Sequence, residues 1–246
     1  MKKIVYFLSD AHLGSEGFEK EKIKKMRLFS FFKKIKNNAE VLYILGDLFE
    51  FWFEYKNTIP KEHFDVLTKL KEITDLKIKV CYITGNHDFW LGDFLSEKIG
   101  IEIFLEPTTV FHQGKKIFLI HGDGLAKKDT GYRFLKKILR NKASISLYRL
   151  IPPDLGIPLA KKVASLSRSY TSKKEKALDD YIDFAKNKIK QGYDAVVMGH
   201  THYPMIKNLG EGLPGQGIYL NTGDFFERFS YGRLEEGEFF LEEYKK

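Results

Sequence analysis

Five of the seven histidines in this 246-residue chain stand in short polar motifs that directly follow apolar runs. The full set of such motifs is Asp10-Ala-His12, Gly46-Asp47, Gly85-Asn-His-Asp88, His121-Gly-Asp123 and Gly199-His-Thr-His202. Aspartate and asparagine offer oxygen and neutral histidine offers nitrogen, the donor set of a hard or borderline divalent cation. Asp10 and His12 are two residues apart, so at the end of an extended segment their side chains share a face. His200 and His202 repeat that spacing. A carboxylate such as Asp47 can bridge two cations, which reduces the repulsion between ions held about 3.5–4 Å apart. Taken singly, these pieces say little. A histidine behind a strand is ordinarily a surface or core residue, and Gly-Asp is common turn chemistry. The weight lies in the set. The other two histidines, His63 and His112, lack such a setting and read as a surface helix residue and a turn residue.

Regular elements must bring these motifs together. Residues Lys3–Leu8, Val41–Leu45 and Ile78–Ile83 are apolar runs of strand length. Between them, Lys20–Lys36 carries Ile23, Met26, Phe29, Phe32 (or Phe31) and Ile35 at helical spacing. Lys61–Thr74 carries Phe64, Leu67, Leu70 and Ile73 on one face. A βαβαβ order predicts parallel strands with right-handed crossovers, and such sheets bind ligands at the carboxyl ends of their strands. Further on, Ile101–Leu105, Thr108–Phe111, Lys116–Ile120, Ala195–Met198, Gly217–Asn221, Tyr231–Glu235 and Glu238–Glu243 read as strands. The expected fold is α/β, with two mixed sheets face to face and helices outside them. Residues of about 124–176 break the alternation, with helices over Tyr132–Asn141, Ala143–Leu150 and Pro158–Leu166 and breaks at Pro152-Pro153 and Pro158. The reading is one domain over 1–246 with a helical cap inserted at about 124–176, since long inserts in compact domains tend to be functional lids. An ordinary excursion of the scaffold is the alternative. Lys174–Gln191, with Leu178, Ile182, Ala185 and Ile189 on one face, is expected to return to the core.

Composition bounds the class. Apolar residues make 43% and charged residues 30% of the chain, as in soluble globular proteins. No apolar run approaches the roughly 18–20 residues of a membrane span. The start, Met1-Lys-Lys3 followed by Ile4–Leu8, resembles a signal peptide but stops at Ser9-Asp10, short of an apolar core of about 7–15 residues. The expected location is therefore cytoplasmic. The one cysteine, Cys81, lies in an apolar run and reads as a buried strand thiol. Residues 124–176 hold 14 Lys/Arg against 3 Asp/Glu, a balance of +11 within a net +8, so the remainder is −3. One strongly basic segment implies an anionic partner: a membrane surface, a nucleic acid or a phosphorylated substrate.

The ordered set D-x-H, G-D, G-N-H-D, H-G-D, G-H-T-H resembles the calcineurin-like metallophosphoesterase superfamily. The resemblance covers the scaffold from Asp10 to His202. It implies a four-layer α/β/β/α sandwich with a dinuclear site, one metal held by Asp10, His12, Asp47 and His202 and the second by Asp47, Asn86, His121 and His200. His87 would be catalytic rather than a ligand, contacting the scissile phosphate and neutralising or protonating the leaving side. The implied reaction is in-line attack of water on phosphorus without a covalent intermediate. Asp88 and Glu50 would orient ligands or His87; a helix-end or surface charge is the alternative for each.

Leu45-Gly-Asp-Leu-Phe-Glu-Phe-Trp52, His121-Gly-Asp-Gly-Leu125, Asp129-x-Gly-Tyr132 and the helical insert are more narrowly similar to UDP-2,3-diacylglucosamine pyrophosphatases of lipid A synthesis. That resemblance implies release of UMP and 2,3-diacylglucosamine 1-phosphate, a preference for two manganese ions, and a cytoplasmic location, peripheral at the inner face of the cell membrane. The partners implied are the nucleotide-linked lipid and an anionic membrane surface, with no protein partner. Asn86, His87, Tyr132, Arg168, Ser169, Ser172 and Lys173 would contact the substrate. Apolar insert residues such as Phe134, Leu147, Leu150, Leu155 and Leu159 would line acyl-chain grooves, or else pack on the scaffold. The chain departs from that family at two points: His87 stands where it carries arginine, and Tyr203-Pro204 stands where it usually carries Arg-Pro. A nucleic-acid or nucleotide phosphodiesterase on the same scaffold, and a metal-binding scaffold without turnover, are the competing readings.

Overall fold

The computed structural model describes residues 3–171, 178–211 and 217–245, without the side chains of 165–171. Of the expected substrate contacts, Ser172 and Lys173 lie outside the described residues, and the side chains of Arg168 and Ser169 lie outside the description as well. Strands β1 (Ile4–Leu8), β2 (Ala39–Ile44), β3 (Lys79–Ile83) and β4 (Glu102–Phe104) are parallel, and β10 (Ser230–Glu235) and β11 (Glu238–Glu243) add antiparallel on the β1 edge. The second sheet has the order β5-β6-β7-β9-β8, formed by Thr108–His112, Lys115–Leu119, Ala195–Met198, Ile218–Asn221 and Met205–Asn208 respectively. Its centre, β6, β7 and β9, is parallel.

The continuous apolar strands are explained by burial on both faces. In β1, Ile4, Tyr6 and Leu8 face helices α1 (Phe18–Ile35) and α2 (Phe64–Asp75), while Val5 and Phe7 face the other sheet. There they meet Ile117, Leu119, Ala195, Val197 and Leu220. On the far side, Val196 and Met198 pack on Tyr181, Ala185 and Ile189 of helix α6 (Leu178–Lys190). The result is a four-layer α/β/β/α sandwich. Cys81 lies buried in the inter-sheet layer, where truncating a large side chain such as Phe7 to alanine would cost about 3–5 kcal/mol.

The helical faces differ from expectation. Helix α1 buries Lys24, Leu28, Phe31, Phe32 and Ile35, and leaves Ile23 51% exposed. The face is rotated because Lys24, counted as polar in the sequence pattern, is buried through hydrogen bonds to the loop after β1. In α2 the buried side chains are Val66, Leu67, Leu70 and Ile73, and Phe64 is 72% exposed. His63, expected at the surface, is fully buried, its ring 4.4 Å from Phe49 and stacked on Trp52. His112 ends β5 rather than a turn, and its Nε2 meets the Tyr43 hydroxyl at 2.8 Å. Strand β8, Met-Ile-Lys-Asn, has no apolar run to mark it in the sequence.

Three helices fill the insert: α3 (Thr130–Leu139), α4 (Lys142–Tyr148) and α5 (Pro153–Thr171). Pro158 lies within α5 rather than ending it; one lost intrahelical donor does not stop the helix. Asn141 caps α4 by accepting the Ala143 N–H at 2.8 Å. Tyr148 anchors α4 on the rings of Phe53 and Trp90, at 4.6 and 4.8 Å, and Lys161 of α5 pairs with Glu62 at 2.5 Å. Phe134, Leu147, Leu150, Leu155 and Leu159 remain exposed. Among the described residues, no helix is long and apolar enough to cross a membrane.

Candidate metal centre

The polar motifs follow β1, β2, β3, β6 and β7, and the loops that carry them are tied to one another. Asp10 and His12 donate their N–H groups to the carbonyls of Gly46 and Asp47, at 3.1 and 2.9 Å, and Gly199 donates to the carbonyl of His121 at 3.0 Å. Gly46 has φ +84°, and a Cβ there would come within 2.6 Å of the Gly85 Cα and His121 Nδ1. Only glycine admits that approach. Asp10, His12, Asp47, His200 and His202 all have positive φ, between 44° and 67°. Left-handed backbone at non-glycine residues costs on the order of 1 kcal/mol each and persists where the surroundings enforce it. Here it turns five side chains inward.

Asp10, His12 and His202 form one group of candidate ligands, and Asp47, His121 and His200 another. Asp10 Oδ1 is buried, lacks a hydrogen-bond partner among the described residues, and faces Nε2 of His202 at 3.3 Å and of His12 at 3.7 Å. Asp47 Oδ2 lies between the groups, 3.8 Å from His12 Nε2 and 3.3 Å from His121 Nε2. Asn86 Oδ1 approaches His121 Nε2 at 3.1 Å. His87 Nε2 reaches within 4.0 Å of Asp47, and His12, Asp47 and His87 form a third group close enough to hold an ion. The structure thus brings together all seven expected ligands and His87. His202, with 28% of its side chain exposed, opens the site to solvent.

The outer nitrogens fix the tautomers. His121 Nδ1 donates to the Leu45 carbonyl at 2.7 Å, and His87 Nδ1 donates to the Glu50 carbonyl at 3.0 Å, since a carbonyl can only accept. His12 Nδ1 donates to the Glu50 carboxylate at 3.1 Å. Each ring therefore leaves Nε2 free to titrate, and Nε2 points into the cluster, as in carboxylate- or carbonyl-supported metal histidines. Burial pushes His12 and His121 down, but the surrounding carboxylates outweigh it. The Asp10, Glu50 and Asp47 carboxylates bring His12 up to about 9, and Asp47 brings His121 up to about 10. Burial pushes Asp10 and Asp47 up, and the neighbouring histidines hold both well below the usual carboxylate range. Such a site favours positive charge, and a divalent cation would supply it on displacing the Nε2 protons. The donor set and its geometry fit such ions. His87 differs: burial is its leading influence and lowers it.

The supporting residues match the sequence expectation in part. Glu50 touches His12 and His87, as expected of an orienting group. Asp88 instead pins backbone, accepting Gly85 N–H at 2.9 Å and the Tyr82 hydroxyl; burial and then Asp47 push it up to about 6. Ser9 bonds to Asp10 Oδ2, which also accepts the His200 N–H at 2.8 Å. Lys24 Nζ donates to the His12 carbonyl at 2.6 Å. Helix α3 ties two ligand loops together. Tyr132 donates its hydroxyl to Asp123 at 2.7 Å, Lys136 pairs with Asp123 at 2.7 Å, and Arg140 donates to the Gly85 carbonyl at 3.0 Å. Thr222–Phe229, behind β9, forms a sixth loop at the site, where Phe225 N–H bonds to the Asp10 carbonyl at 3.1 Å and Phe226 lies edge-on to His202. Asn221-Thr-Gly-Asp224 behind an apolar run was the signal for it.

A family model described as calcineurin-like phosphoesterase matches residues 4–204. The chain is similar to curated proteins named UDP-2,3-diacylglucosamine hydrolase. One from Porphyromonas gingivalis is 30% identical over 221 residues, covering 82% of this chain and 84% of the relative. One from Ectopseudomonas mendocina is 31% identical over 225 residues, covering 90% of each. A third, from Aeromonas salmonicida, is 29% identical over 240 residues, covering 96% and 92%.

Proposed function

The chain belongs to the calcineurin-like phosphoesterase family, and from that premise we propose that it hydrolyses the pyrophosphate of UDP-2,3-diacylglucosamine to UMP and 2,3-diacylglucosamine 1-phosphate, in lipid A synthesis. The relatives' printed name is the source of the substrate. The observation that carries the chemistry is the convergence of Nε2 atoms, two carboxylates and an amide oxygen around Asp47.

In this proposal Asp10, His12, Asp47 and His202 hold one divalent cation, and Asp47, Asn86, His121 and His200 hold a second, manganese being the expected metal. Bound cations would supply Lewis acidity, lowering the pKa of a water and offsetting charge on the phosphoryl group. The protein's own groups do the rest. Glu50 and the Leu45 carbonyl fix the rings of His12 and His121. His87, its Nδ1–H held by the Glu50 carbonyl, presents Nε2 to the phosphoryl group, and a proton taken up at Nε2 would offset charge there and pass to the leaving oxygen.

Helices α3 to α5 act as a cap. Their exposed apolar side chains suit acyl chains, and their excess of Lys and Arg suits the anionic inner face of the membrane. Each basic residue near such a surface adds about 1 kcal/mol of attraction. Salt-sensitive cosedimentation with anionic vesicles is the expected result.

The deciding experiment is a product assay on UDP-2,3-diacylglucosamine with manganese. UMP and the lipid monophosphate are expected. No turnover there, with vigorous cleavage of DNA or cyclic nucleotides, would overturn the substrate. No manganese-stimulated hydrolysis of any phosphoester would overturn the enzyme.

A further inference from the structure

We propose that Tyr203, Phe226 and Arg228 form the subsite for the nucleoside half of the substrate, at the end of the metal centre away from the Asn86–His87 loop. The proposal rests on the function given above and deepens it.

A pyrophosphate cleaved between a nucleoside phosphate and a lipid phosphate needs two unlike walls, one for each substituent. The structure has two. Helix α3 and its neighbours close on the Gly85–Asp88 and Asp123 loops through Arg140, Tyr132 and Trp90. The His202 end is walled by another element, the loop behind β9. Phe226 lies edge-on to His202 at 5.4 Å and to His12 at 5.9 Å, so its partly exposed ring borders the first group of candidate ligands. Tyr203 follows His202 directly, is 39% exposed, and carries the Arg228 guanidinium over its ring at 5.3 Å.

An exposed ring, a second ring at the site's edge and a guanidinium together offer planar faces and forked donors. A pyrimidine presents the complement, a π-face with carbonyl oxygens at its edge. Stacking on an aromatic side chain contributes about 1–3 kcal/mol per base, and an arginine fork is suited to paired acceptors.

The platform is preorganised. The buried Asp224 carboxylate accepts the N–H groups of Phe226, Glu227 and Arg228 at 3.1, 2.7 and 3.0 Å, and Phe225 N–H bonds to the Asp10 carbonyl. Little ordering cost remains when a ligand binds. In this arrangement the leaving lipid phosphate departs toward His87 and the cap.

The test uses the full chain with manganese and three probes. UMP and inorganic phosphate serve as inhibitors of bis(p-nitrophenyl) phosphate hydrolysis, and UDP-2,3-diacylglucosamine serves as substrate. The wild type should bind UMP more tightly than phosphate. Arg228→Ala and Tyr203→Ala should each shrink that preference about 5- to 20-fold and raise KM for the nucleotide-linked lipid by a similar factor. An unchanged UMP-to-phosphate ratio in both variants overturns the subsite. Failure of the wild type to cleave UDP-2,3-diacylglucosamine overturns the proposed function instead, and the inhibition ratio then still reports on the subsite.

Discussion

A histidine at position 87 and the arginine of the resembling pyrophosphatases are different instruments. Arginine brings a fixed charge and a fork, whereas histidine can pass a proton. His87 is buried, its Nδ1 is committed to the Glu50 carbonyl, and burial lowers its pKa. It therefore has one nitrogen, Nε2, left to meet a substrate. We expect His87→Asn to lower kcat by about 10²- to 10⁴-fold, the usual range for a positioned acid or base, with cation content intact. His87→Arg should recover at least about ten-fold of that loss by charge alone. Equal losses in both variants would assign the whole contribution to proton transfer. His63 poses the opposite case, a buried histidine remote from the chemistry. Burial, then Lys161 and Lys25, push it down to about 3. Because its folded value lies below the unfolded one near 6.5, the unfolded chain binds the extra proton. Stability is then complete above about pH 6.5 and is lost as pH falls toward 3. At pH 5 the loss is about 2 kcal/mol. His63→Phe, filling the space between Phe49 and Trp52, should flatten the melting temperature between pH 7 and 5 relative to wild type. Parallel pH profiles for the two proteins would refute this.

At the scale of elements, the strands were legible because burial on both faces leaves an uninterrupted apolar run, and the polar break behind each run marked a ligand loop. The helical faces were less legible. A lysine is read as solvated, yet Lys24 is only 3% exposed because its ammonium reaches the His12 carbonyl at 2.6 Å and Ser15 Oγ at 3.1 Å. Glu21, one turn earlier, accepts the Gly14 N–H at 2.7 Å. Helix α1 thus clamps the Asp10–Ser15 loop, a tertiary contact that helical periodicity cannot encode. Likewise His63 is buried by the rings of Phe49 and Trp52, which lie in another segment. The Thr222–Phe229 loop carries no histidine to mark it. Lys24→Met should keep the helix buried but leave the His12 carbonyl with the Ser15 N–H as its one remaining donor, letting the strained backbone at His12 relax. Outer-sphere partners of this kind typically govern metal affinity by 10- to 100-fold. Competition against a chelating dye should show manganese binding weakened by about that factor. Unchanged affinity would reduce Lys24 to a packing residue.

Across the whole molecule, the candidate ligands come from both sheets. Asp10, His12, Asp47 and Asn86 follow strands of the first; His121, His200 and His202 follow strands of the second. Cations held between them would fasten the sheets at their carboxyl ends, where the apolar inter-sheet layer of Phe7, Leu45, Leu119 and Val197 gives way to charge. Binding to the folded state alone adds about 2.7 kcal/mol per site at a free concentration of 100 Kd. For a chain of this size that corresponds to roughly 5–10 °C per site in melting temperature. Manganese should therefore raise the melting temperature of the wild type, and a chelator should reverse the rise. His202→Ala, which touches one ligand group, should keep about half the increment. Asp47→Ala, which touches both, should abolish it and leave neither ion bound by metal analysis. Retention of one full-affinity ion in Asp47→Ala would contradict a bridging carboxylate, and the two sites would then have to be treated as independent.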